Sequence, residues 1–227
     1  MLMSDKLSFK PFDENGEVRI YYNGLLPHWR QAGCTYFVTF RLADSVPQGV
    51  LEEWIYERDR WLVARGIDPN VIGWREAIRS LSRNDIQIFE RDFTGRLFTY
   101  LDKGYGACHL RGARVGKIVS DALKFFHGTR LETGDFVVMP NHVHALMTPF
   151  DGFELENILH SIKSYTSSWI NRHLGRSGTL WMEESHDHIV RDAEELLRIQ
   201  GYIARNPQKA NLEQTHYQYQ EADYQQV

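Results

Sequence analysis

Residues 35–42 carry too little polar alternation for a half-exposed strand. Thr35-Tyr36-Phe37-Val38-Thr39-Phe40 is a nearly continuous run of β-branched and aromatic side chains, which predicts a strand covered on both faces. Past Ser45-Val46-Pro47 the period changes. Leu51, Trp54, Ile55, Arg58, Trp61 and Leu62 recur at helical spacing to about Arg65, and the stretch from Gly66 to Pro69 breaks the pattern. A second helix is predicted over about 85–103, with Ile86, Phe89, Phe93, Leu97, Tyr100 and Leu101 on one face. A third, over about 112–127, carries Val115, Ile118, Val119, Leu123 and Phe126. Two apolar runs follow, 131–139 and 142–148, separated by Pro140-Asn141. Proline fixes φ and asparagine tolerates turn geometry, so the pair predicts a hairpin. A long helix over about 153–174 turns Leu155, Ile158, Leu159, Ile162, Tyr165, Thr166, Trp169 and Ile170 inward and ends at Gly175. A last strand is expected across 180–190. A final helix across 192–206 opens on Asp192, with Glu195 three residues on as in a capping box, and stops at Pro207.

Without the helices of the stretch at about 47–110, the order is strand, helix, strand, strand, helix, strand, helix. That is the β-α-β-β-α-β ferredoxin-like pattern with one helix appended. The expected class is α+β, an antiparallel sheet with helices on one face, a helical insertion at about 47–110, and an added C-terminal helix. Residues 1–34 are expected to form an arm packed on the body, 35–212 a single domain, and 213–227, rich in Gln and Tyr, a surface-hugging or loose tail.

Composition narrows the function classes. The 227 residues are 42% apolar and 25% charged, as in ordinary soluble domains, and no apolar run approaches the roughly 20 residues of a membrane span. The N-terminus lacks the apolar core of a signal peptide, and Cys34 and Cys108 make neither a C-x-x-C pair nor a disulfide framework, so a cytoplasmic location is expected. A net charge of −4 argues against a chain that coats nucleic acid indiscriminately. One segment departs from that average. Lys103, Arg111, Arg114, Lys117, Lys124 and Arg130 face a single acid, Asp121, which makes 103–130 a candidate phosphate-binding surface or a solvated helix face.

The predicted hairpin carries the candidate chemistry. His142 and His144, just past the turn, stand at i and i+2 in a strand and so share a face, where one divalent cation could take both. His186 and His188 have the same spacing in the last predicted strand without a hairpin turn before them. Tyr202 and Asn206 lie four apart on the final helix and share a face; a phenol and an amide there suit a nucleophile and an oxygen donor, or equally a core aromatic and a C-cap. Tyr165 is a rival nucleophile, placed by its neighbours on an apolar stripe. A His-x-His-x-His hydrolase strand is excluded because residue 146 is leucine. A non-catalytic module that binds hairpin or single-stranded nucleic acid is the alternative from a different class.

The segments 26–42 (LPHWRQAGCTYFVTFRL), 137–149 (VVMPNHVHALMTP), Asn171-Arg172 through Leu180-Trp181, 186–192 (HDHIVRD) and 201–207 (GYIARNP) together resemble the single-tyrosine HUH transposases of IS200-like type. Within them the resemblance is to the REP-associated tyrosine transposases, and it covers roughly 20–212. It implies His142 and His144 as ligands of Mg²⁺ or Mn²⁺, with Tyr202 as the nucleophile that forms a 5′-phosphotyrosine. Asn206 falls where relatives carry a metal-binding glutamine, one methylene longer. The implied partner is hairpin or single-stranded DNA with REP-like palindromes, bound by a monomer or a homodimer. Arg111, Arg114, Lys117, Lys124, Arg130, Lys163 and His188 are candidate DNA contacts.

Overall fold

The computed structural model describes residues 6–22, 27–71, 74–78 and 80–225. The chain divides into two compact units, Met1–Ala43 with Ala107–Val227, and Asp44–Gly106.

The larger unit is built on a five-stranded sheet. Its strands are β3 (Tyr36–Arg41), β4 (Leu131–Val138), β5 (His142–Pro149), β6 (His186–Ile189) and β7 (Gln218–Gln220), in the order β6-β3-β5-β4-β7 with every pairing antiparallel. The first four strands reproduce the ferredoxin-like order, and β7 extends it beyond β4. A separate hairpin, β1 (Arg19–Tyr22) with β2 (Pro27–Arg30), lies in the arm. Leu26 of the first resembling segment and the side chains of Tyr21 and Tyr22 lie outside the described residues.

Pleating sorts the sheet residues onto two faces. Tyr36, Val38 and Phe40 of β3 with Val143, Ala145 and Met147 of β5 pack under two helices, α5 (Ala113–Lys124) and α6 (Leu155–His173). Phe37, Val137 and Leu146 face the other way and meet Leu196, Ile199 and Ile203 of α7 (Ala193–Lys209). The last helix therefore covers the face that α5 and α6 leave open. His142, His144 and Thr39 belong to this second face by the same alternation.

The smaller unit is helical: α1 (Gln48–Val63), α2 (Trp74–Ile78), α3 (Arg83–Phe89), a π-helical turn at Glu90–Thr94, and α4 (Gly95–Leu101). Leu62, Ile67, Trp74 and Ile78 form its core, with Trp61 and Phe89 packed against them. The single helix expected over 85–103 is interrupted by that π turn, which the apolar period of 3.6 cannot register.

Three other expectations change. The last strand, expected across 180–190, is continuous only from His186 to Ile189, opposite Thr39 to Tyr36; Trp181 meets the end of β3 through an isolated bridge to Leu42. Pro207 does not stop α7, which runs on to Lys209; a proline in the last turn removes one donor, and Leu212 N–H still bonds Pro207 C=O at 3.0 Å. The tail is ordered as an edge strand. Leu7 N–H donates to Asp223 C=O and Gln225 N–H to Leu7 C=O, so arm and tail clasp each other. Gly134 is required beneath that clasp, since a Cβ there would collide with the Tyr224 hydroxyl.

Candidate metal and nucleophile site

The turn places the histidine pair. Met139 N–H donates to His142 C=O at 2.8 Å, closing the hairpin, and β5 leaves it at once with His142 opposite Arg41 and His144 opposite Thr39. Both imidazoles are fully buried. Their Nε2 atoms are 3.1 Å apart, while each Nδ1 has a partner on the far side, Asn141 Oδ1 for His142 and Thr39 Oγ1 for His144, both at 2.7 Å. An amide oxygen only accepts, so His142 carries its proton on Nδ1 and turns the Nε2 lone pair inward. The Thr39 hydroxyl can donate or accept and therefore suits either tautomer of His144.

Burial depresses the pKa of His142 to about 3. It takes His144 well below the usual histidine range, with His142 and His186 adding to the effect. Neutral imidazoles with converging lone pairs are what a divalent cation requires. Two bonds of about 2.1 Å at a right angle span roughly 3 Å, the spacing of adjacent ligands around an octahedral cation. The donor set of His142 and His144 fits a metal.

Tyr202 reaches this pair from α7. Its hydroxyl lies 3.2 Å from His144 Nε2, and the two rings stand 5.1 Å apart, tilted by 68°. Phe37 holds both, stacked on His144 at 5.5 Å and edge-on to Tyr202 at 6.1 Å. Lys209, two turns along, lies 5.0 Å from the centre of the Tyr202 ring. Asn206 continues the stripe of Leu196, Ile199 and Ile203 and is fully buried, one turn past Tyr202 on the sheet side of α7.

Residues 113–206 match the family described as "Transposase IS200 like". The match spans about two fifths of the chain. The matched stretch runs from the start of α5 to Asn206 and so includes His142, His144 and Tyr202. No curated protein matches the chain. Among solved structures it is similar to one titled "Structure of the REP associates tyrosine transposase bound to a REP hairpin", at 16% identity over 83% of this chain and 72% of that one, with a TM-score of 0.38.

The remaining candidates are scattered. Arg111, Arg114, Lys117, Lys124 and Arg130 are exposed, but α5 lies on the face opposite the histidines. Lys117 pairs with Asp121 at 2.7 Å, Arg114 sits over Trp169, and Arg130 lies over Phe126. Lys163 is engaged internally, donating to Met182 C=O, Glu183 C=O and Ser185 Oγ, and burial brings its pKa down to about 8 despite the nearby carboxylates. His188 is on the histidine face, with Nε2 3.5 Å from Glu195 Oε1 and its ring against Phe37. Tyr165 is not in the core: it is 56% exposed on α6, away from both histidines.

Two neighbours of the site had no signature in the sequence. Thr39 is one of several threonines in an apolar run, and only the β3–β5 register puts it behind His144. Arg41 is 7% exposed beside His142 on the same face, where desolvation lowers its pKa and Glu184 partly restores it. Asn141 was readable as a turn residue but not as the partner of His142.

Proposed function

We propose that this chain is a metal-dependent endonuclease and strand transferase of the REP-associated type, acting on single-stranded DNA that carries hairpin or palindromic repeats. The observation that carries the reading is the convergence of the Tyr202 hydroxyl on His144 Nε2, itself 3.1 Å from His142 Nε2.

His142 and His144 would hold the cation, with Asn206 as the candidate oxygen donor. An Mg²⁺ or Mn²⁺ ion bound there supplies charge neutralisation at the scissile phosphate. A cation held on His144 Nε2 would take the place at which the Tyr202 hydroxyl meets that nitrogen, 3.2 Å away, and would leave the hydroxyl to attack. Tyr202 Oη then bonds to phosphorus, the P–O3′ bond breaks, and the phenolic proton passes, net, to the departing 3′-oxygen. The 5′-phosphotyrosine retains the bond energy, and a 3′-hydroxyl can reverse the step to join new ends without a high-energy cofactor. Phe37 keeps water from one side of the pair and fixes the ring geometry.

The test is a covalent protein–DNA band on a denaturing gel, using a single-stranded oligonucleotide with a palindromic hairpin. It should require Mg²⁺ or Mn²⁺ and disappear in Tyr202→Phe, while DNA affinity changes less than about threefold, the loss of one hydroxyl contact. A band that persists in EDTA removes the metal from the reading. A band that persists in Tyr202→Phe removes the nucleophile. DNA binding with no band under any condition leaves the non-catalytic binding module.

A further inference from the structure

The surface formed by α5 and α6 has no role in the site above, yet it is patterned. Tyr165, Trp169 and His173 recur every four residues along α6 and so form one stripe. Tyr165 is 56% exposed, Trp169 half-buried and His173 exposed. The Trp169 and His173 rings are stacked at 4.9 Å with 29° between their planes, and the Arg114 guanidinium lies 5.3 Å from the Trp169 ring centre. Arg111, Arg114 and Arg172 are exposed around this end of the helix pair. Each helix has one carboxylate, and both lie at a distance: Asp121 is two turns past Arg114 and bound by Lys117, and Glu156 is at the opposite end of α6, bound by Arg30.

We infer that this stripe is a stacking platform for unpaired bases of single-stranded DNA, separate from the histidine face. The inference rests on the proposed DNA-processing role for its choice of partner. The exposed Tyr165 and His173 rings offer π-faces to bases, with Trp169 backing His173, and the arginines offer charge to the phosphates. The positive charge is local, because the chain as a whole carries −4. Stacking is tolerant of sequence, so the platform would hold single-stranded DNA that flanks whatever segment is cleaved on the other face.

The experiment is fluorescence anisotropy of a labelled oligo(dT) with the full chain. Trp169→Ala should weaken binding roughly tenfold, the equivalent of one lost stacking contact, and Trp169→Phe should retain most of it. Tyr165→Ala and His173→Ala, which remove exposed rings, should each weaken binding several-fold and carry the test if Trp169→Ala fails to fold. Wild-type affinity in all three alanine variants overturns the platform, as does equal loss in Trp169→Phe and Trp169→Ala. Tighter binding of oligo(rU) than oligo(dT) also overturns it, and so does a homodimer that Tyr165→Ala converts to monomer in light scattering. Tyr202→Phe separates the two readings: an adduct that survives it defeats the proposed chemistry while oligo(dT) affinity still reports on the platform.

Discussion

His142 and His144 are buried polar groups whose only sound justification in a folded chain is a full set of partners, and each ring nitrogen has one. Burial holds His142 at about 3, against 6.5 for an unperturbed histidine. Between those values the unfolded chain binds a proton that the folded chain refuses, so stability is intact above about pH 6.5 and falls as the pH drops toward 3. The urea midpoint should accordingly be lower at pH 4.5 than at 7.5, and the difference should shrink in His142→Gln; an unchanged pH slope in that variant would falsify the buried neutral imidazole. Metal affinity tests the same pair from the other side. His144→Ala should abolish Mn²⁺ binding in a calorimetric titration, whereas retained stoichiometric binding would place the metal elsewhere. At this scale the sequence disclosed the two histidines and Tyr202 through spacing and resemblance. It disclosed neither Thr39 nor Arg41, because a residue behind a ligand is defined by strand register and not by its own neighbours in the chain.

The helix that carries Tyr202 is set at its start. Asp192 Oδ1 accepts from Glu195 N–H at 2.7 Å, and Glu195 Oε2 accepts from Arg191 N–H at 2.8 Å, a reciprocal box around the first turn. Burial raises the Glu195 carboxyl, but the hydrogen bonds from His188 and Arg191 outweigh it and bring the pKa down to about 2. Asp192→Ala should cost about 1 kcal/mol in chemical denaturation and fray α7 from its N-terminal end; Asp192→Asn should restore most of the loss. No change in the alanine variant would mean the cap is made by other groups. Asp192 and Glu195 were legible as this cap from their three-residue spacing. The continuation through Pro207 was not, since a proline signals a stop only where a lost donor and a ring clash matter, and in a final turn that covers apolar surface they matter least.

Across the larger unit, one arginine joins elements that are distant in the chain. Arg30 of β2 donates to Asp187 of β6 at 2.5 and 3.1 Å and to Glu156 of α6 at 2.6 Å, with the Asp187 side chain 1% exposed. Arg30→Ala leaves a buried carboxylate without its cation and should cost about 3–5 kcal/mol, whereas a loss under 1 kcal/mol by urea titration would show that Asp187 finds another partner. No helix among the described residues is long and apolar enough to cross a membrane. The sequence alone determined the ferredoxin-like order of elements, the hairpin and its two histidines, because period and turn chemistry are local and a resemblance needs only residues in order. The tertiary structure alone decided three things: that α7 covers the face left open by α5 and α6, that the tail closes the sheet as an edge strand, and that the basic residues of α5 lie behind the histidines and not beside them. Each depends on which face of the sheet an element packs against. That choice is made by the sum of contacts across the core, and no single stretch of sequence contains it.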